Sequence, residues 1–175
     1  KIRRIGADGS GAVEIPFHVA DTRVVIDATH PARDVAPARF ATRMPRWAEV
    51  SPDGRTVVFE TLGKLWVKSM AGGAARRLTS DTSDGFELWP SWSRDGRTIV
   101  FVGWTDAGLG KVRTVAATGG VARDVTGHAG HYAHPKFSPD GKTIVFDSGE
   151  GGGLTSDKWS DDPGVYRIAA TGGSA

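Results

Sequence analysis

An all-β chain, in which a four-stranded antiparallel sheet recurs roughly every 40 to 50 residues, is what this sequence predicts. Three observations predict it. The phrase SPDGRTVVF begins at Ser51 and returns as SRDGRTIVF at Ser93 and SPDGKTIVF at Ser138, spacings of 42 (51 to 93) and 45 (93 to 138) residues. A second phrase interleaves with it: LWVKSMAGGAARRLT from Leu65, VRTVAATGGVARDVT from Val112 and VYRIAATGGSA from Val165. The apolar runs after each turn, Val57-Val58-Phe59, Ile99-Val100-Phe101-Val102 and Ile144-Val145-Phe146, do not alternate with polar residues. Such strands are covered on both faces by neighbouring layers. Two hairpins per repeat, stacked sheet on sheet, give a β-propeller segment of about three four-stranded antiparallel blades in an incomplete ring.

Each element follows in chain order. Residues 1–44 read as the end of a preceding blade, with Ile2–Ile5 and Ala12–Phe17 flanking a turn, followed by a long, partly extended connection. Residues 45–88 form a blade with strands at Trp47–Val50, Val57–Glu60, Leu65–Lys68 and Ala75–Thr79. Residues 89–134 form the next, and 135–175 a third that lacks its last strand. In SPDG the proline presets φ, the aspartate caps its own turn and the glycine supplies positive φ. In SRDG, Arg94 takes the proline's place, which a type I turn accepts.

Composition narrows the function. The net charge of +2 comes with no Lys/Arg run beyond Lys1, Arg3 and Arg4, so no concentrated basic face for nucleic acid is expected. No apolar stretch is long enough for a membrane span. Cysteine is absent, which removes disulfide and thiolate chemistry. The chain opens at Lys1 in mid-strand without an initiator Met or signal peptide, so a processed product or a piece of something longer is expected.

Strand parity sorts the connections onto two rims. The SPDG-type turns and the AGGA, TGGV and TGGS turns share one rim, are short and read as scaffold. The opposite rim carries the longer loops: SDTSDGFEL (80–88), GWTDAGLG (103–110), GHAGHYAH (127–134) and SGEGGGLTSDKWSDDPG (148–164). Loops on rigid scaffolds collect binding residues. Trp104, Asp106, His131, Tyr132 and Trp159 are the binding candidates there, with His128, Asp157, Asp161 and Asp162 nearby. No catalytic and no metal-ligating residue is assigned.

Several tempting groups have plainer readings. His128, His131 and His134 recur every three residues, but Gly127, Gly130 and Pro135 make this a loop entering a strand, so solvated or hydrogen-bonded imidazoles are expected. Asp157, Asp161 and Asp162 lack the ligand order of a calcium loop. GEGGG (149–153) lacks the Lys-Ser/Thr of a phosphate cradle and precedes no helix. Trp47, Trp66 and Trp92 fall on expected strands and read as packing between blades, whereas Trp104 and Trp159 fall in loops and suit contact roles. The serine-nucleophile signature G-x-S-x-G does not occur.

The phrase S-x-D-G-R/K-T-I/V-V-F, followed by a Gly-Gly turn and x-L/V-T, resembles TolB-like and tricorn-like propeller repeats. From about residue 45 to 173 the wording is most similar to the N-terminal propeller of bacterial proteins whose C-terminal half is a metal-dependent amidohydrolase barrel. PRWAEVSPDGRTVVFETLGKLWVKSMAGGAARRLTSD, FELWPSWSRDGRTIVFVGWTDAGLGKVRTV, GHYAHPKFSPDGKTIVF and GGGLTSDKWSDDPGVYRI carry that likeness. The resemblance implies a non-catalytic scaffold that shields or screens access to an active site in another domain. The metals would belong to that domain. None of the five histidines, His18, His30, His128, His131 and His134, forms a His-x-His pair, and no cofactor is assigned to this chain. Two alternatives stand beside it: a TolB-like protein-binding propeller of an envelope assembly, and the gating propeller of a serine peptidase of the dipeptidyl peptidase or tricorn type. A periplasmic or extracellular location is implied by resemblance only. Propellers close with about four to eight blades, so three leave sheet faces open. The remainder of the parent propeller and a hydrolase domain, or a protein partner, are the expected neighbours, together with self-association through open blade edges.

Overall fold

In the computed structural model, which describes residues 1–26, 29, 30, 32, 34–80, 84–149 and 162–173, the repeated phrase closes the same turn three times. The Ser51 hydroxyl donates to Asp53 Oδ1 (2.6 Å) and accepts from the Thr56 amide (2.9 Å), while the Arg55 amide donates to Asp53 Oδ1 (3.1 Å). The same three bonds recur around Ser93 and Ser138 at 2.6–3.0 Å. Gly54, Gly96 and Gly141 sit at φ 72°, 69° and 71°, the left-handed region that glycine enters without a Cβ penalty.

All regular structure among the described residues is strand. Within residues 1–39, β1 (Ile2–Arg4) and β2 (Val13–Ile15) form an antiparallel pair. Residues 40–175 form the second compact unit, and its strands build three antiparallel meanders. The first contains β3 (Arg46–Val50), β4 (Thr56–Thr61), β5 (Lys64–Ser69) and β6 (Arg76–Arg77). The second contains β7 (Phe86–Trp92), β8 (Thr98–Thr105), β9 (Leu109–Ala116) and β10 (Arg123–Asp124). The third contains β11 (Tyr132–Phe137), β12 (Thr143–Ser148) and β13 (Gly164–Ala169). Among the described residues, no helix is long and apolar enough to cross a membrane.

Two apolar layers join the sheets. Val58, Leu65, Val67 and Leu78 of the first sheet meet Trp92, Ile99, Phe101 and Val115 of the second. Val100, Val112 and Val125 of the second sheet meet Ile144, Phe146 and Ile168 of the third. Successive residues of β8 therefore bury in opposite directions, as its unbroken apolar run requires. The two outer strands depart from that expectation. Val57 and Phe59 are only half-buried, and Val145 is 37% exposed. Among the described residues of this unit, no sheet covers those outer faces, so two-sided burial holds for the middle copy alone.

The sheets fan around an axis. Packed sheets lie about 10 Å apart, which would hold the first and third about two such spacings away from each other. Lys136 Nζ of β11 nevertheless lies 2.6 Å from Glu49 Oε2 of β3, so the first strands converge. On the short-turn rim, the second and third Gly-Gly turns are stitched to the sheet before them. Ser80 N donates to Gly120 O (2.9 Å), Gly120 N to Leu78 O (3.0 Å) and Gly173 N to Val125 O (3.3 Å).

Candidate functional site

The opposite rim holds the candidate residues, and strand register positions them. Trp104 faces Phe86 across the β7–β8 ladder. It lies inside β8 rather than in a loop, because pairing continues to Thr105–Leu109 and leaves only a tight hairpin. Its indole Nε1 donates to Asp106 Oδ1 at 3.0 Å. Its ring meets that of His131, with centroids 4.9 Å apart and planes tilted by 57°. His131 is delivered by a two-bond bridge: Gly110 N donates to Gly130 O (3.0 Å) and Gly130 N to Gly110 O (2.9 Å). A Cβ at Gly110 would stand 2.6 Å from Gly130 O, so this approach requires glycine. Tyr132 begins β11, sets its ring edge-on to Phe146 at 5.2 Å and donates its hydroxyl to His128 O at 3.4 Å.

These rings border an open pocket of about 660 Å³ between the second and third sheets, lined among others by Leu88, Trp89, Trp104, His131, Tyr132 and Asp147. That volume falls in the range of small-molecule sites. Trp89 connects the pocket to the inner strands. Its ring lies 5.2 Å from Trp47 and 5.1 Å from His134, and His134 Nδ1 lies 2.9 Å from Asp147 Oδ2. All three ring-bearing residues have positive φ: 48° at Trp47, 51° at Trp89 and 49° at His134. Each sits at a register break in the first strand of its sheet, a bulge that re-aims a side chain.

The structure thus brings together three of the five candidates: Trp104, His131 and Tyr132. Asp106 does not line the pocket but holds the Trp104 indole. Trp159, like Asp157, Asp161 and most of the GEGGG stretch, lies outside the described residues. The Asp162 carbonyl accepts the Tyr166 hydroxyl at 2.9 Å. Sequence reasoning missed Trp89, His134 and Asp147. A signal was present, since Trp47, Trp89 and His134 each stand four residues before the serine of the repeated phrase. Trp92 is buried against the first sheet and donates its indole to Glu49 O at 2.9 Å. Trp66 donates its indole to Thr61 O at 3.3 Å and lies under the Arg77 guanidinium, on the face of the first sheet shared with Phe59. Its β5 neighbours Leu65 and Val67 take the buried face, which turns Trp66 outward by strand alternation.

Within the described residues of 40–175, electrostatic perturbation falls on the other rim. Asp53, Asp95 and Asp140 are all held below the usual carboxylate range, first by the hydroxyls of Ser51, Ser93 and Ser138 and then by the amides of Arg55, Arg97 and Lys142. Those groups cap turns. Among the described residues, no three His, Cys, Asp or Glu side chains gather as metal ligands.

Known proteins share this architecture. An uncharacterized peptidase, YuxL, of Bacillus subtilis is 29% identical over 142 residues, covering 58% of this chain and 21% of that protein. The Tol-Pal system protein TolB of Francisella tularensis is 38% identical over 77 residues, covering 44% of this chain and 16% of that protein. The chain therefore spans about a fifth and a sixth of these curated relatives. The crystal structure of TolB from Acinetobacter baumannii superposes with a TM-score of 0.55 at 19% identity, over 71% of this chain and 29% of that one, a likeness of fold. The family described as TolB beta propeller domain matches residues 6–174, and with three meanders fanned about one axis the chain belongs to that family.

Proposed function

We propose that this chain is a non-catalytic propeller scaffold that packs against a metal-dependent amidohydrolase domain of the parent protein and shields or screens access to its active site. The division between the two rims supports the reading. One rim is spent on repeated, internally bonded turns, whereas the other presents an open, ring-lined pocket on a rigid frame. An apolar opening rimmed by polar residues suits contact with another body. Trp104, Asp106, His131, Tyr132 and Trp159 are the residues assigned to that contact. The hydrolase domain and the remainder of the propeller are its partners, in a periplasmic or extracellular setting. The likeness to the Tol-Pal protein TolB favours one second reading, in which the same rim docks a separate envelope protein.

A photo-crosslinking residue at position 132 of the full-length parent separates these readings. Crosslinked peptides from a downstream hydrolase domain of the same polypeptide are the expected result. Crosslinks confined to a different protein favour docking, and a full yield of uncrosslinked product overturns both.

A further inference from the structure

We infer that the pocket between the second and third sheets receives an organic cation: a protonated amine, a guanidinium or a quaternary ammonium group. Trp89, Trp104 and Tyr132 line it, and the faces of such rings carry the negative part of the aromatic quadrupole. A cation within about 6 Å of a ring centroid is attracted to that face, most strongly to Trp. Asp147 is the one carboxylate among the described lining residues, and no lysine or arginine is among them. The described lining thus combines aromatic rings with one carboxylate-bearing residue and no basic side chain.

Among the described residues, the neighbouring cations are engaged elsewhere. Lys111 Nζ and Arg113 Nε each lie 2.9 Å from Asp124, and Lys136 lies against Glu49. None of these three lines the pocket. His134 Nδ1 lies 2.9 Å from Asp147 Oδ2 and orients that carboxylate. An anionic ligand would meet Asp147 unfavourably. A purely apolar ligand would remove water from that carboxylate and offer it no charge in return. A cation satisfies the ring faces and the carboxylate together.

The inference is independent of the shielding role, since a crosslinking failure at position 132 says nothing about what the pocket holds. Its test is a titration of the intact chain with choline, with N-acetylarginine amide and with 3,3-dimethylbutan-1-ol, the uncharged isostere of choline. Binding is read by calorimetry and located by indole N–H shifts in NMR. The expected result is saturable binding of a cation, shifts at the Trp89 and Trp104 indoles, and affinity about tenfold weaker for the alcohol. Trp104→Ala and Asp147→Asn should each weaken the cation about tenfold, in variants whose circular dichroism matches the parent. Preference for choline points to a small quaternary ligand, and preference for the arginine amide to a peptide side chain. Equal affinity for choline and the alcohol, absence of saturable binding by both cations, or shifts confined to other tryptophans overturns the proposal. The shift map needs no variant, so it decides even where a substitution disturbs folding.

Discussion

Lys136 and Glu49, 87 residues apart in the chain, meet at 2.6 Å and so join the third sheet to the first. The same carboxylate accepts the Ser91 hydroxyl and the Trp92 amide through Oε1, both at 3.1 Å. Glu49, Ser91 and Lys136 each stand two residues before the serine of the repeated phrase, so equivalent positions of three sheets converge on one acceptor. The two kinds of contact differ in weight. Lys136 is more than half exposed, and Lys136→Met should cost no more than about 0.5 kcal/mol, as exposed ion pairs do. Glu49→Ala strips the acceptor from a buried hydroxyl and a strand amide, and should cost about 2 kcal/mol. Chemical denaturation of both variants and the double variant checks the order. A larger loss from Lys136→Met would show that the ion pair, not the strand contact, holds the inner strands together.

Acidification should loosen the three repeated turns together. Asp53, Asp95 and Asp140 have folded pKa values lowered from the ordinary 3.8, chiefly by their serine hydroxyls. The folded chain then binds fewer protons than the unfolded chain in acid. The contribution is complete above the unfolded pKa and is lost as pH falls through the lower folded value. Thermal midpoints measured from about pH 6 to pH 2 should decline below about pH 4. Replacing the three aspartates by asparagine should flatten that decline, and Ser51→Ala should remove only Asp53's part of it. An unchanged slope in the triple variant would place the acid sensitivity elsewhere.

The repeated phrase made the sheets legible because each copy encodes a complete local device. Ser51, Asp53 and Gly54 need no distant partner to close their turn, and the apolar run after it reports burial directly. The site was harder to read. Trp104 and Tyr132 stood out as aromatic residues in the longer rim segments, but Trp89 and His134 are aimed by bulges at positive φ, and an alternating strand pattern does not announce a bulge. Asp147 becomes a site residue only where the fold sets it beside His134. The same limit explains Val145. Its surroundings depend on whether another sheet lies beyond β12, which the local wording of the third repeat does not encode.

Two glycines should fail for different reasons. Gly54 sits at φ 72° with open space where a Cβ would stand, nothing lying within 4 Å, so Gly54→Ala should cost about 1 kcal/mol of backbone strain and leave the pocket untouched. At Gly110 the added methyl meets Gly130 O at 2.6 Å. Gly110→Ala should push the 127–131 segment outward, separate His131 from Trp104 and cost about 1–3 kcal/mol. Near-ultraviolet circular dichroism of the tryptophans reads the difference: a changed aromatic band for Gly110→Ala and an unchanged one for Gly54→Ala. The reverse pattern would mean that the Gly110–Gly130 bridge does not position the rim.

The outer faces carry the last prediction. Register pairs Val145 with Arg167 and Asp147 with Val165 across β12 and β13, which places two valines diagonally on one open face, Val165 being 72% exposed. At the other end, Val57 and Phe59 are half-buried on the open side of β4. Uncovered strands of this kind pair with whatever apolar surface or strand edge they meet. The chain alone should therefore associate as its concentration rises, and Val145→Lys combined with Val165→Lys should reduce that association while leaving the fold intact. Val100→Lys, between the second and third sheets, should unfold the chain instead, because a buried unpaired charge has no compensation there. Sedimentation velocity over a concentration series, with circular dichroism on each variant, distinguishes the cases. A wild-type chain that stays monomeric at every concentration and melts in one sharp transition would show that these faces are tolerated by water, and that the sheets need no further neighbour.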